Sequence, residues 1–111
     1  MVSRSVASAA ALPNFGLICV FGGEVSPSDK GHEGAGDFTN EVICVPTSEG
    51  QLAFKPTIVG VAPLERGWLD CHVMSCDENK ARIIYYGGLT GDDKNPLRMN
   101  DMWALDIVKN Q

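Results

Sequence analysis

Two stretches of the chain are apolar without interruption, and each ends at a pair of glycines. They are Leu17-Ile18-Cys19-Val20-Phe21 before Gly22-Gly23, and Ile83-Ile84-Tyr85-Tyr86 before Gly87-Gly88. Short runs rich in β-branched and aromatic residues and closed by glycine read as strands with both faces covered. In each half an Asn-acidic pair then opens a further run, Asn40-Glu41-Val42-Ile43-Cys44-Val45 and Asn100-Asp101-Met102-Trp103-Ala104-Leu105. An arginine precedes each unit, as Arg4-Ser5 and as Arg66-Gly67-Trp68.

The same parts therefore recur in the same order. From Gly22 to Gly87 is 65 positions and from Asn40 to Asn100 is 60, the first copy carrying the longer loop. The pattern predicts strands near 5–12, 16–22, 41–46 and 51–56 in a first unit covering 1–60. A second unit, 61–111, has strands near 67–75, 81–87 and 101–107 and is expected to be incomplete at its C-terminal end. Glycine pairs let the backbone bend and approach closely where a side chain would not fit. Trp103 and Trp68 read as rings filling space between neighbouring sheets.

Composition sharpens this picture without changing it. The 111 residues are 44% hydrophobic and 21% charged, an ordinary globular balance, and 12 glycines with 6 prolines fit an all-β chain of many turns. The net charge of −5 and the absence of a basic cluster argue against nucleic-acid binding. No window has the length of a membrane span. Cys19, Cys44, Cys71 and Cys76 sit in or beside apolar runs and fit no zinc-knuckle spacing. Read as reduced core residues, they predict a cytoplasmic protein. Residues 4–12 loosely imitate a secretion signal, but Ser8 breaks the apolar stretch and a strand accounts for it better.

Phe21-Gly22-Gly23…Asn40-Glu41 and Tyr86-Gly87-Gly88…Asn100-Asp101-Met102-Trp103 resemble kelch motifs. The resemblance covers nearly the whole chain and implies an all-β partial kelch β-propeller of about two adjacent blades, not closed. A propeller needs about four to eight blades to close. Two blades leave open edges and apolar faces, which predicts neighbouring blades, a protein partner or self-association.

A narrower resemblance lies in the first loop. Phe21-Gly22-Gly23-Glu24, the loop reaching His32, and Arg66-Gly67-Trp68 are similar to the plant specifier proteins of glucosinolate breakdown and their kelch relatives. Those proteins steer the aglycone toward nitriles and related products with ferrous iron held by a Glu, an Asp four residues on and a His four residues beyond. The resemblance implies Glu24, Asp29 and His32 as iron ligands, with Ser28 at the family's middle position and the carboxylate one place later. It also implies Arg4 and Arg66 as substrate contacts at the start of the first strands. Against this stands the plain reading of Asp29 and His32 as polar loop residues bonding their own backbone.

Other constellations are weaker. Cys71 and His72 are neighbours on an expected strand, so their side chains leave on opposite faces and make no nucleophile pair. Asp92-Asp93-Lys94-Asn95-Pro96 reads as a polar turn. Gly34-Ala35-Gly36 is too short, and followed by no helix, for a phosphate loop. No catalytic residue is assigned. The expected function is a protein-interaction module working through blade loops, with the iron-dependent specifier as the alternative.

Overall fold

A computed structural model describes residues 4–26, 36–92 and 94–108. The chain is all-β, in antiparallel sheets that do not close. Among the described residues ten strands follow in order: β1 (Ser8–Leu12), β2 (Leu17–Phe21), β3 (Glu24–Ser26), β4 (Asp37–Phe38), β5 (Val42–Pro46), β6 (Asp70–Cys76), β7 (Lys80–Tyr86), β8 (Leu89–Gly91), β9 (Pro96–Arg98) and β10 (Met102–Val108). One 3-10 turn, Pro13–Phe15, joins β1 to β2. Among the described residues no helix is long and apolar enough to cross a membrane.

The two apolar runs became the central strands of two three-stranded sheets, β1-β2-β5 and β6-β7-β10. Ser8 faces Phe21 and Leu12 faces Leu17 on one side of β2, while Cys19 faces Cys44 on the other. In the second sheet Cys71 and Trp103 both pair with Tyr85, and Met102 pairs with Tyr86. Two small hairpins, β3-β4 and β8-β9, project beyond the glycine pairs. Sequence periodicity did not reveal them, because each strand has only two or three residues.

The predicted fourth strand at 51–56 is reduced to one bridge. Phe54 and Cys44 exchange both backbone hydrogen bonds, at 2.8 and 2.9 Å, and the pairing goes no further. Pro46 ends β5 and Pro56 follows Lys55, so at each end of that ladder a proline removes one of the two bonds the next pair would make. The rest of the 47–65 connection carries Leu52, Ile58, Val59, Val61 and Leu64 exposed.

The core lies between the sheets. Cys19, Phe21, Leu12, Ala10 and Cys44 meet Leu69, Ala81, Ile83 and Tyr85, with Trp103, Leu105 and Ile107 half-buried around them. The Phe21 and Tyr85 rings stack with centroids 5.5 Å apart, an arrangement that adds to simple area burial. Strands β1 and β6 run against each other. Ser8 Oγ–H donates to Cys71 Sγ across that seam at 3.0 Å.

The repeat seen in the sequence also governs the backbone. Gly22 and Gly87 sit at φ 64° and 74°, and Gly23 and Gly88 at 109° and 106°. Val6 and Trp68, each two residues after its arginine, are the described non-glycine residues at positive φ, 51° and 53°. Ser5 pairs with Glu24 as Gly67 pairs with Leu89. The Gly22 amide donates to Glu41 C=O as the Gly87 amide donates to Asp101 C=O.

Candidate functional site

Arg66 heads the segment leading into β6 and is 2% exposed. Its guanidinium donates to both carboxylate oxygens of Asp101, at 2.5 and 3.0 Å, to Gly87 C=O at 3.1 Å and to Leu64 C=O at 2.9 Å. Asp101 accepts a further bond from Trp103 Nε1–H at 2.6 Å. The Arg66 bonds, reinforced by Trp103, hold the Asp101 carboxyl well below the usual carboxylate range. Arg4 repeats the device in the first half, donating to Gly22 C=O at 3.3 Å and to Glu41 Oε2 at 3.1 Å. Glu41 also accepts from Lys55 at 3.1 Å, and hydrogen bonds from Arg4 and Lys55 lower its carboxyl as well.

Both arginines thus tie the start of a first strand to a glycine-pair carbonyl and to the carboxylate that opens the third main strand. These side chains are engaged in the scaffold. The sequence marked Glu41 and Asp101 as the acids that open a strand in each half, not as the partners of Arg4 and Arg66. The signal was present, since Arg4 to Glu41 spans 37 positions and Arg66 to Asp101 spans 35.

Glu24 opens β3 directly after the first glycine pair and is 9% exposed. Its backbone pairs both ways with Ser5, and its Oε2 accepts the Gly36 amide at 3.1 Å. That bond closes the base of the loop whose interior carries Asp29 and His32. Both of those residues lie outside the described residues. Of the three iron ligands that the resemblance implies, the described structure holds Glu24 alone. Among the described residues, no group of three metal-ligating side chains comes together.

Where β1 and β6 touch, the sheets are close; between β5 and β10 a cleft of about 530 Å³ opens. Val42, Tyr85, Trp103 and Leu105 form its inner walls, and Ile58 and Val61 of the 47–65 connection line the opposite side. Glu41, Lys55 and Asp106 supply charge at the lining, and Glu41 and Lys55 are already paired there. Burial raises the Tyr85 phenol, which keeps it neutral and suited to an apolar wall. A mostly apolar cleft with a few charged groups takes side chains or a short extended segment and orients them by polar contacts.

The cysteines are free thiols. Cys19 and Cys44 are buried with their sulfurs 3.6 Å apart, and the hydrogen bond between them together with burial pushes the Cys19 thiol up. Burial also raises Cys71. Its ladder partner is Tyr85 and that of His72 is Ile84, so the two adjacent side chains leave on opposite faces. Cys19 and Cys71 therefore lack the lowered pKa of an activated nucleophile.

Compared with known proteins, the chain matches no family model and no curated protein significantly.

Proposed function

We propose that this chain is a kelch-type β-propeller module that binds a protein partner, with the cleft between β5 and β10 and the 47–65 connection as its contact surface. The observation that carries the reading is the pairing of that cleft with exposed Ile58, Val59 and Val61 on the connection beside it. Apolar side chains that cluster on a surface next to a concave wall mark interaction sites more often than they mark chance exposure. The cleft's volume suits a few side chains of an extended segment. The two sheets supply a rigid frame, and a loop held on such a frame is where binding residues are commonly placed.

The kelch reading is supported by the recurrence of one backbone scheme in both halves: arginine, glycine pair and acid-led strand in the same hydrogen-bonded arrangement. The fold alone names no partner. Selection of a displayed peptide library on the immobilised chain tests the function. Retained peptides should contain apolar residues and should lose capture on Ile58→Asp and Val61→Asp, both at positions outside the core. Peptides that bind these variants as well as the parent chain, or no enrichment at all, would remove the cleft from the account.

A further inference from the structure

Four side chains cross the first sheet in a single row. Ala10 faces Cys19, Cys19 faces Cys44, and Cys44 faces Phe54 through the isolated bridge at the outer edge. Directly opposed residues of antiparallel strands project from the same face. Cys19 and Cys44 are 0% and 2% exposed in the core, whereas Phe54, at the end of the row, is 45% exposed.

The backbone fixes how near the two thiols stand. The N–H and C=O of Cys44 are both bonded to Phe54, so they point away from β2. Further along the same ladder the Gly22 amide donates to Glu41 C=O. Bonded and unbonded pairs alternate, so the Cys19–Cys44 pair, three positions on, is an unbonded one. Such pairs hold their Cα atoms about 4.5 Å apart, with side chains closer than in bonded pairs. That separation lies inside the range a disulfide spans, about 4.4–6.8 Å, and near its short limit. The sulfurs are 3.6 Å apart. Rotation of both side chains about χ1 brings them to the bonding distance of about 2 Å. A disulfide near the short limit carries strain, and strained disulfides are the readily reduced ones.

We propose that Cys19 and Cys44 are a redox modification site: a small peroxide converts them into a cross-strand disulfide that a dithiol reopens, and Phe54 is the gate. The inference rests on neither the cleft nor its partner. One thiolate attacks a peroxide oxygen and expels hydroxide, becoming a sulfenic acid. The other sulfur then attacks that sulfenic sulfur and releases water. Two thiols give up two electrons and two protons, and the hydroxide takes up a proton, so the peroxide leaves as two waters. The hydrogen bond between the sulfurs favours a thiolate at Cys44, whose pKa it lowers, while Cys19 keeps its proton. Access comes from the sheet edge. Two backbone bonds hold Phe54, and among the described residues 55–64 make none to other backbone groups, so this corner opens locally without global unfolding. The disulfide ties β2 to β5 and closes the chain between two residues 25 positions apart, first loop included, into a ring.

Exposure of the folded full chain to hydrogen peroxide, then catalase, urea and a maleimide, counts the thiols that remain. The four adducts of the reduced chain should fall to two, and dithiothreitol should restore all four. Trypsin cuts after Lys30 and Arg66, so non-reducing peptide maps should show segments 5–30 and 31–66 joined through Cys19 and Cys44. The double variant Cys71→Ala/Cys76→Ala, which keeps only the pair, should lose both of its adducts. Phe54→Ala should speed the loss about tenfold, the scale on which one edge contact governs local opening. Phe54→Leu replaces it, with the same direction expected, if circular dichroism shows the alanine variant unfolded. Four adducts that persist in the folded chain, a loss that dithiothreitol does not reverse, or a map joining other cysteines would overturn the site. An unchanged rate in the folded Phe54 variant would overturn the gate.

Discussion

The two arginine ties use the same three parts and differ in how completely each one closes. Asp101 and Glu41 are equally exposed, at 36% of their side-chain surface, so solvent does not distinguish them. Geometry does. Asp101 receives two bonds from Arg66 and one from Trp103, while Glu41 receives one from Arg4 and shares its other oxygen with the exposed Lys55. A planar guanidinium matched to both oxygens of a short, fixed carboxylate is stronger and more directional than a single contact on a longer side chain. The lesson is that a repeated motif conserves the connection while the energy in each copy depends on the acid's length and its secondary partners.

Removing the acids should break that comparison most sharply. Asp101→Ala leaves a guanidinium that is 2% exposed without its counter-charge, and we expect a loss of about 3–5 kcal/mol in urea unfolding. Glu41→Ala should cost about 1–2 kcal/mol, nearer the loss of a charged hydrogen bond. Equal losses would mean that contact geometry is irrelevant here. Since small domains hold only about 5–15 kcal/mol in total, the first variant should also be the one that expresses poorly.

The glycine pairs extend the test. Gly22→Ala places a methyl group against the Arg66 carbonyl at positive φ, a combination of strain and overlap worth roughly 2–4 kcal/mol. Gly87→Ala meets only Met99 C=O at 3.5 Å and should cost about 1–2 kcal/mol, the left-handed backbone penalty alone. A Gly87 variant as costly as Gly22 in dilute solution would show that something already presses on the second pair.

Much of this fold was readable in the chain, and the exceptions have physical causes. β2, β5, β7 and β10 were legible because each is a largely apolar run that both faces of a sheet can use, and all four occur where expected. The hairpins β3-β4 and β8-β9 were not, since Glu24-Val25-Ser26 and Pro96-Leu97-Arg98 hold one aliphatic residue each. Their order comes from backbone pairing with Ser5 and Gly67. Residues 51–56 looked like a strand, but Pro46 on one side and Pro56 on the other each remove a donor where the ladder would extend. Arg4 and Arg66 were legible as paired positions, yet their engagement with Glu41 and Asp101 needs strands brought together from more than thirty residues away. The cleft was invisible, because it depends on the angle between two sheets and not on any local pattern.

Acid should separate the halves more gently than substitution does. Both carboxyls have folded-state values below their ordinary ones. Each tie therefore contributes fully above the usual carboxylate range, about pH 4, and is lost as pH falls through its lowered folded-state value. Stability should accordingly drop on acidification below about pH 4, and Asp101→Asn should flatten that slope more than Glu41→Gln. Chemical unfolding at a series of pH values reads the difference. Identical slopes in the two variants would contradict the stronger hold on Asp101.

The smallest effect is expected at Glu24, where the two readings of the first loop part company. As a loop clasp, Glu24 needs only an acceptor for the Gly36 amide, which a glutamine oxygen also supplies. Glu24→Gln should then change stability by less than about 1 kcal/mol, because it replaces one charged acceptor by a neutral one. As an iron ligand beside Asp29 and His32, the carboxylate charge itself would matter, and an amide is a poor substitute for a hard anionic donor. Equilibrium dialysis against ferrous iron under anaerobic conditions decides between them. The clasp reading expects no retained iron in the parent chain and no change in Glu24→Gln or His32→Ala. Stoichiometric iron that disappears in both variants would transfer Glu24 from the scaffold to a metal centre, and the first half of the molecule would then carry a site that the second half, with Leu89 in the equivalent place, does not.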